Sequence, residues 1–180
     1  AGDPNDIMLP SYRYTGDDPT KRLIYETITG GDTEQKPEKV FGVHAVQLID
    51  QYTDGDYLKV FFIYYVGGYH LYGKEITEES GAVLAAAFTY HQEADGSYTL
   101  VQQQTAQDGS YFRPSIEKYC NLPASGKTIP GLADRIIDAY SDHGPLLETV
   151  REHLTEHLQK YGQTGVSLVD PADGSVIPLT

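Results

Sequence analysis

His153-Leu154-Thr155-Glu156-His157 is the string in this chain whose residue types and spacing come nearest to chemistry. On a helix, H-x-x-E-H sets two imidazoles on one face, where inverted zincins hold zinc and the glutamate serves as base. Such a site needs a third protein ligand, usually an acidic residue well downstream, and no Glu follows His157. On a helical wheel the apolar stripe is Leu147, Val150, Leu154 and Leu158, which leaves His153 and His157 on its flank and turns Glu156 almost directly away. Glu148, Glu152 and Glu156 then form the acidic row of a solvated face. The motif is therefore read as an exposed helix surface, fortuitous in spelling, with adventitious zinc affinity as the alternative. No catalytic residue, metal or cofactor is expected.

Other reactive types fare no better. His44 lies inside an apolar run between Val43 and Ala45, as a half-buried core histidine does. Ser80, Ser97 and Ser110 each stand beside a glycine in turn contexts, not on a nucleophile elbow. Gly30-Gly31 and Gly67-Gly68 are lone pairs with no Lys-Ser/Thr behind them, so they are not phosphate loops. Cys120 is the single cysteine, which excludes an intrachain disulfide and reads as a small buried thiol. Tyr64, Tyr65, Tyr69 and Tyr72 form the densest aromatic group and are the candidate ligand-binding residues, since tyrosine buries area at recognition surfaces at low entropic cost. Packing of the sheet and its cover is the alternative role.

The elements that must position these residues centre on Val40 to Gln104, which predicts four consecutive strands. Val40–Tyr52 and Tyr57–Val66 are joined by a turn at Asp54-Gly55, where Gly accepts the positive φ of a tight hairpin. Tyr57–Val66 is apolar on both pleat faces and is expected to be a central strand covered on both sides, broken by Gly67-Gly68. Glu75, Glu78 and Glu79 then fall in a connection. Ala82–Gln92 is the third strand. Tyr98–Thr105, fading into Gln102-Gln103-Gln104, is the fourth, with an edge or solvent-facing character.

A helix is predicted from Thr20 to Thr29, opened by Asp18-Pro19 and stopped at Gly30-Gly31, with a polar loop from Asp32 to Lys39. After the strands come a short helix at Pro114–Tyr119, helical spacing in Leu132, Ile136, Ile137 and Tyr140, and a second helix opened by Pro145 and closed by Gly162. The tail suggests two short strands, Val166–Val169 and Val176–Leu179. The expected class is α+β. An N-terminal helix packs on a four-stranded antiparallel meander, in a cystatin-like or nuclear-transport-factor-like (NTF2-like) plan, and C-terminal helices cover the sheet. Residues 1–18 are taken as a tether or irregular arm and 19–180 as a single domain.

A formal net charge of -13 argues against nucleic acid, whose phosphates such a surface repels, and against an anionic membrane surface. No segment has the length and apolarity of a membrane span. The start at Ala1-Gly2-Asp3-Pro4, without Met, fits a chain whose leader has been removed.

Several segments occur in a suggestive order: Glu38 through His44, Phe61-Phe62-Ile63-Tyr64-Tyr65, Glu79-Ser80-Gly81, Asp95 through Val101, Asp108-Gly109-Ser110-Tyr111-Phe112, and Ile116-Glu117-Lys118. The series resembles an uncharacterised extracytoplasmic domain of Firmicutes-type bacteria, found in lipoproteins and as the outward tail of BlaR-type membrane metallopeptidases. The likeness covers Pro19 to Pro123. It departs at Gln102 through Ala106, in place of an acidic-aromatic pair and a proline, and at Tyr119 through Pro123, in place of Phe-Pro. The peptidase portion is absent, so its activity does not carry over, and no site residues do.

What the resemblance implies is a non-enzymatic sensor-type domain outside the membrane of a Gram-positive bacterium, anchored or secreted, binding a small ligand or an envelope protein. Two other readings stand beside it. One is an enzyme or small-molecule binder with a pocket in a cone-shaped sheet, built on His44 with an acid. The other is a structural or oligomerising module pairing through its Gln-rich fourth strand.

Overall fold

The run Tyr57-Leu58-Lys59-Val60-Phe61-Phe62-Ile63 is β-branched and aromatic enough to hold an extended backbone, and it forms the middle of the sheet. The computed structural model describes residues 2–30 and 36–180. In chain order its elements are β1 (Asp6–Ile7), α1 (Pro19–Ile28), β2 (Val40–Asp54), β3 (Tyr57–Tyr72), β4 (Glu75–Gln92), β5 (Tyr98–Thr105), a 3-10 turn (Gly109–Tyr111), α2 (Phe112–Tyr119), α3 (Leu132–Ser141), α4 (Gly144–Lys160), β6 (Ser167–Val169) and β7 (Val176–Pro178). The class is α+β, as the sequence indicates. The sheet is open and mixed rather than a four-stranded antiparallel one, with seven strands among the described residues.

β3 lies between β2, paired from Val40↔His70 to Asp54↔Tyr57, and β4, paired from Tyr57↔His91 to Tyr72↔Glu75. The expected break at Gly67-Gly68 does not occur. Both glycines stay in the ladder, opposite Val43 and Gly42 on one side and Gly81 and Ser80 on the other. Glu75 to Glu79, expected in a connection, is the first part of β4, and the register slips by one residue where Gly68↔Ser80 gives way to Tyr69↔Glu78. β1 continues the outer row beside β2, pairing Asp6↔Tyr72. On the far side β5 pairs the C-terminal part of β4, and β6 pairs its first two residues in parallel, Glu75↔Ser167 and Ile76↔Leu168. β7 pairs β6 antiparallel.

Alternation places Phe61, Ile63, Tyr65, Tyr69 and Leu71 on the face covered by α2, α3 and α4, in one core with Ile116, Ile136 and Leu154. Leu58, Val60 and Phe62 point the other way, into a second core with Ile24 and Tyr25 of α1. The central strand is thus covered on both faces. α1 begins as predicted: the Asp18 side chain accepts from the Lys21 N–H and Pro19 occupies the first turn. The first half of the loop expected over 32–39 lies outside the described residues, as does the Gly31 half of the helix stop. The short helix predicted from Pro114 begins earlier, at Phe112.

Of the segment 1–18, expected to be a tether or irregular arm, the described residues up to 17 are irregular apart from β1 and pack along the outer edge of β2. The Tyr12 N–H donates to the Gly42 carbonyl at 2.9 Å, and the Gly42 N–H donates to Ser11 Oγ at 2.9 Å. Further along that edge the Val46 N–H donates to the Tyr25 hydroxyl at 3.0 Å, and Arg135 donates to the Ile49 carbonyl at 3.0 Å. This edge of the sheet is therefore capped by its own chain.

Lys59 is the one charged residue of the central run, and it is buried at 2% exposure. Its ammonium donates to the Tyr119 carbonyl (2.7 Å) and to Asn121 Oδ1 (3.0 Å), capping the C-terminal end of α2. Burial pushes its pKa down to about 8. The unfolded chain releases this proton near 10.5, so between 8 and 10.5 the unfolded state holds more protons and folding gains as pH rises. Urea unfolding of wild type and Lys59→Met should show the difference moving in favour of wild type by about 1–2 kcal/mol across that window, with solvent screening allowed for. A pH-independent difference would contradict the assignment.

Candidate functional site

Gly67 and Gly81 face each other across β3 and β4. With no side chain at either position, the Tyr65 ring lies over Gly67 and the Glu78 carboxylate over Gly81; a Cβ built on Gly81 would meet Glu78 Oε2 at 2.8 Å. The two side chains meet there. The Tyr65 hydroxyl donates to Glu78 Oε2, the Tyr69 hydroxyl lies 3.4 Å from the same oxygen, and the two hydroxyls are 2.8 Å apart. Burial drives both phenols well above their ordinary pKa, and the Glu78 charge adds to the effect. Both keep their protons at neutral pH and act as donors, not bases.

This hydroxyl–carboxylate network forms the polar end of a cleft of about 380 Å³ between the sheet, α4 and the β6–β7 hairpin. Tyr69 and Glu78 line it together with Leu147, Val150, Leu168 and Ile177 as apolar walls, and Arg151, Asp170 and Ser175 lie around it. Arg151 is held by Glu148, one turn back on α4. The hairpin is placed by Gly174, whose φ of 72° suits the turn between β6 and β7. The cleft offers the Glu78 carboxylate with the tyrosine hydroxyls beside it and apolar side chains around them, while Asp170 adds a second carboxylate and the charge of Arg151 is offset by Glu148. That suits a ligand with a cationic or hydrogen-bond-donating head on an apolar body.

The four tyrosines singled out in the sequence do not converge. Tyr65 and Tyr69 share the Glu78 network. Tyr64 points to the other face, beside Phe62 and the α1 core. Tyr72 is exposed at the end of β3, where its hydroxyl donates to Asp3 at 2.8 Å. Glu78 and the β6–β7 wall were absent from the expectation. His44 lies half-buried on the face opposite the cleft, with its pKa lowered by burial, and no acid of the cleft is near it in the register.

The H-x-x-E-H segment lies on α4 as expected, but its histidines are not on the surface: His153 is 7% and His157 3% exposed. The wheel missed this because the arm provides a second surface for α4. Tyr12 stacks on His153 with centroids 4.4 Å apart, and Phe41 and Tyr161 pack on His157. The His153 Nε2 lies 2.7 Å from the Tyr25 hydroxyl, and the His157 Nε2 donates to the Pro10 carbonyl at 2.7 Å. Glu156, expected to face away, accepts from the hydroxyls of Thr15 and Tyr12. The motif fastens the arm to the body. No cluster of three or more His, Cys, Asp or Glu among the described residues could hold a metal ion.

Cys120 is buried beside Lys59, and its thiol is pushed up to about 11, chiefly by burial, which keeps it protonated and unreactive. No helix among the described residues is long and apolar enough to cross a membrane. Compared with known proteins, the chain matches no family model, no curated protein and no solved structure.

Proposed function

We propose that this protein is a binding domain, not an enzyme, that works outside the membrane of a Gram-positive bacterium, as the sensor-type lipoprotein domain it resembles is expected to. The single observation that carries the binding role is the Tyr65–Tyr69–Glu78 network at the end of an apolar-walled cleft. We take the helix-on-meander arrangement as cystatin-like or nuclear-transport-factor-like, with the ligand held not inside the curved sheet but between α4 and the β6–β7 hairpin. The phenols hold their protons at neutral pH and so do not serve as bases, which supports a recognition role for the cleft. The acidic net charge of -13 adds a field that favours a cationic ligand.

The experiment is an NMR titration with 2-phenylethylamine, an ammonium on an aromatic body, against 2-phenylethanol as the uncharged counterpart. The amine should shift the amides of Glu78, Val150 and Ile177, and should bind about tenfold more tightly than the alcohol. Glu78→Gln should remove that preference. Ile177→Trp, which fills the mouth from an exposed wall, should block both probes while leaving the fold unchanged. Shifts gathered elsewhere, or a preference that survives Glu78→Gln, would reject the cleft as the site.

A further inference from the structure

The outer edge of β4 is paired only at its two ends. β5 reaches Ala86, and the Ala106 N–H adds one bond to the Ala85 carbonyl at 2.9 Å; at the other end β6 covers Glu75 and Ile76. Between them, from Thr77 to Leu84, no described strand lies beside β4. Residues 78–82 are exposed. Because Ala85 turns its carbonyl outward, alternation turns the N–H and C=O groups of Val83 and Gly81 outward as well. The opposite edge of the sheet is capped at Gly42, Val46 and Ile49 by the arm, Tyr25 and Arg135. Among the described residues the chain thus caps one edge at intervals and leaves a gap of about eight residues, some 26 Å, in the other.

We propose that this gap is a docking slot for an extended segment of another protein chain, which enters as a strand beside β4 between β5 and β6. The slot itself excludes the corresponding edge of a second copy: that β4 is flanked by its own β5 and β6, which would collide with this β4 before the two edges met. A free segment has no such flanks.

Charge sets its chemistry. β4 carries Glu75, Glu78 and Glu79 and neither Lys nor Arg. Glu75 stands one residue before Ile76, whose side chain enters the core on the α4 side, so Glu75 faces the opposite way. Glu79 lies on that same opposite face, 3.8 Å from His70. Val83 packs on the α4 side. The guest strand is therefore amphipathic, with lysine or arginine toward Glu79 and toward Glu75 at the β6 end of the slot, and small apolar side chains beside Val83 on the α4 face, where the Glu78 carboxylate is already bonded by Tyr65 and Tyr69. Main-chain bonds hold it and the alternate side chains select it. This inference does not depend on the cleft: it uses the backbone of Gly81 and Val83 rather than the Glu78 network.

The test uses a capped eight-residue peptide of alternating valine and lysine, added to the intact protein and followed by amide hydrogen exchange. The Gly81 and Val83 amides should exchange about tenfold or more slowly with the peptide than without it. Two N-methylated peptides, methylated at alternate positions, give the signature of a ladder. The one whose methyl groups point away from β4 should bind like the parent, and the other should bind at least about tenfold more weakly. Glu75→Gln with Glu79→Gln should weaken binding several-fold while the methylation pattern persists. No added protection at Gly81 and Val83, equal binding of both methylated peptides, or protection that grows with protein concentration alone would overturn the proposal. Binding that Ile177→Trp abolishes but N-methylation does not affect would assign the peptide to the cleft instead.

Discussion

Gly67→Ala should destabilise the protein by about 2–3 kcal/mol, although the same change at an ordinary strand position is neutral or stabilising. Gly67 has no positive φ, so the backbone itself accepts alanine, and the usual gain from a stiffer unfolded chain would be about 0.4–1 kcal/mol. The obstacle is the Tyr65 ring, which occupies the place where the new methyl group would go. Tyr65 is buried, so its ring has to swing away, and its hydroxyl then leaves both Tyr69 and Glu78. Overpacking costs about 1–3 kcal/mol and unpaired buried hydroxyls a similar amount.

A double-mutant cycle isolates the cause. In a Tyr65→Ala background the ring is gone, and adding Gly67→Ala should cost nothing or stabilise slightly, giving a coupling of about 2 kcal/mol or more in urea unfolding. An equal cost in both backgrounds would mean that the glycine is needed for its backbone and not for the ring above it. Gly67→Ala should also weaken binding of the aromatic amine, because the carboxylate loses the hydroxyl that orients it.

That glycine pair also shows where the sequence stops being legible. The meander could be read from local signals: β-branched and aromatic runs, Asp54-Gly55 and Asp95-Gly96 at hairpin distance, and helices opened by Asp18-Pro19 and Pro145. Gly67-Gly68 was misread as a break because a glycine taken alone looks like one. Its real reason is the cross-strand Gly81, which cannot be known before the register is, together with the ring of Tyr65 two residues back on the same face. The early start of β4 was hidden in the same way, since Glu75, Glu78 and Glu79 have the composition of a loop and are held in a strand by β3.

Of the candidate tyrosines, Tyr69 lines the cleft and Tyr65 is joined to it through hydrogen bonds to Tyr69 and Glu78, while Tyr64 and Tyr72 belong elsewhere. Strand alternation already separated Tyr64 from Tyr65, and using it would have halved the group. The β6–β7 wall was out of reach. Its parallel contact with β4 is two residues long, too short to leave a periodic trace. Lys59 gave no sign either, because its acceptors come from the end of a helix distant in sequence.

Acid should loosen the clasp between the arm and α4 before it dissolves the sheet. His153 is buried against Tyr12 and Tyr25, and desolvation lowers its pKa from 6.5 to about 4, with Glu156 opposing only in part. The Tyr25 hydroxyl accepts from the Val46 N–H and lies 2.7 Å from His153 Nε2, which takes its one hydrogen when the neutral ring carries its own proton on Nδ1. A proton on that nitrogen takes away the hydrogen's acceptor and places a charge against two aromatic rings. The unfolded chain takes up this proton near 6.5 and the folded chain near 4. The stabilisation is therefore complete above 6.5 and is lost as the pH falls toward 4, an amount of about 3 kcal/mol at most. Burial lowers His157 in the same direction, but its bond to the Pro10 carbonyl is retained on protonation and opposes the shift, so His153 is the fastening that acid loosens.

Wild type and His153→Leu should differ by about 2–3 kcal/mol in urea unfolding at pH 7.5, because leucine leaves the Tyr25 hydroxyl without its acceptor and Tyr12 without its stacking partner. At pH 4.5 the gap should close by about 2 kcal/mol, since only wild type suffers from protonation at this site. Taking the difference cancels the background of the carboxylates, which titrate alike in both proteins. Tyr25→Phe adds an independent check: it removes the capping oxygen of Val46, and the Val46 amide should exchange at least about tenfold faster while the Phe62 amide, deep in the central strand, is much less affected. A gap between wild type and His153→Leu that is the same at both pH values would show that the imidazole is not held neutral by burial. The H-x-x-E-H segment would then be a packed helix face with no proton linkage to the arm.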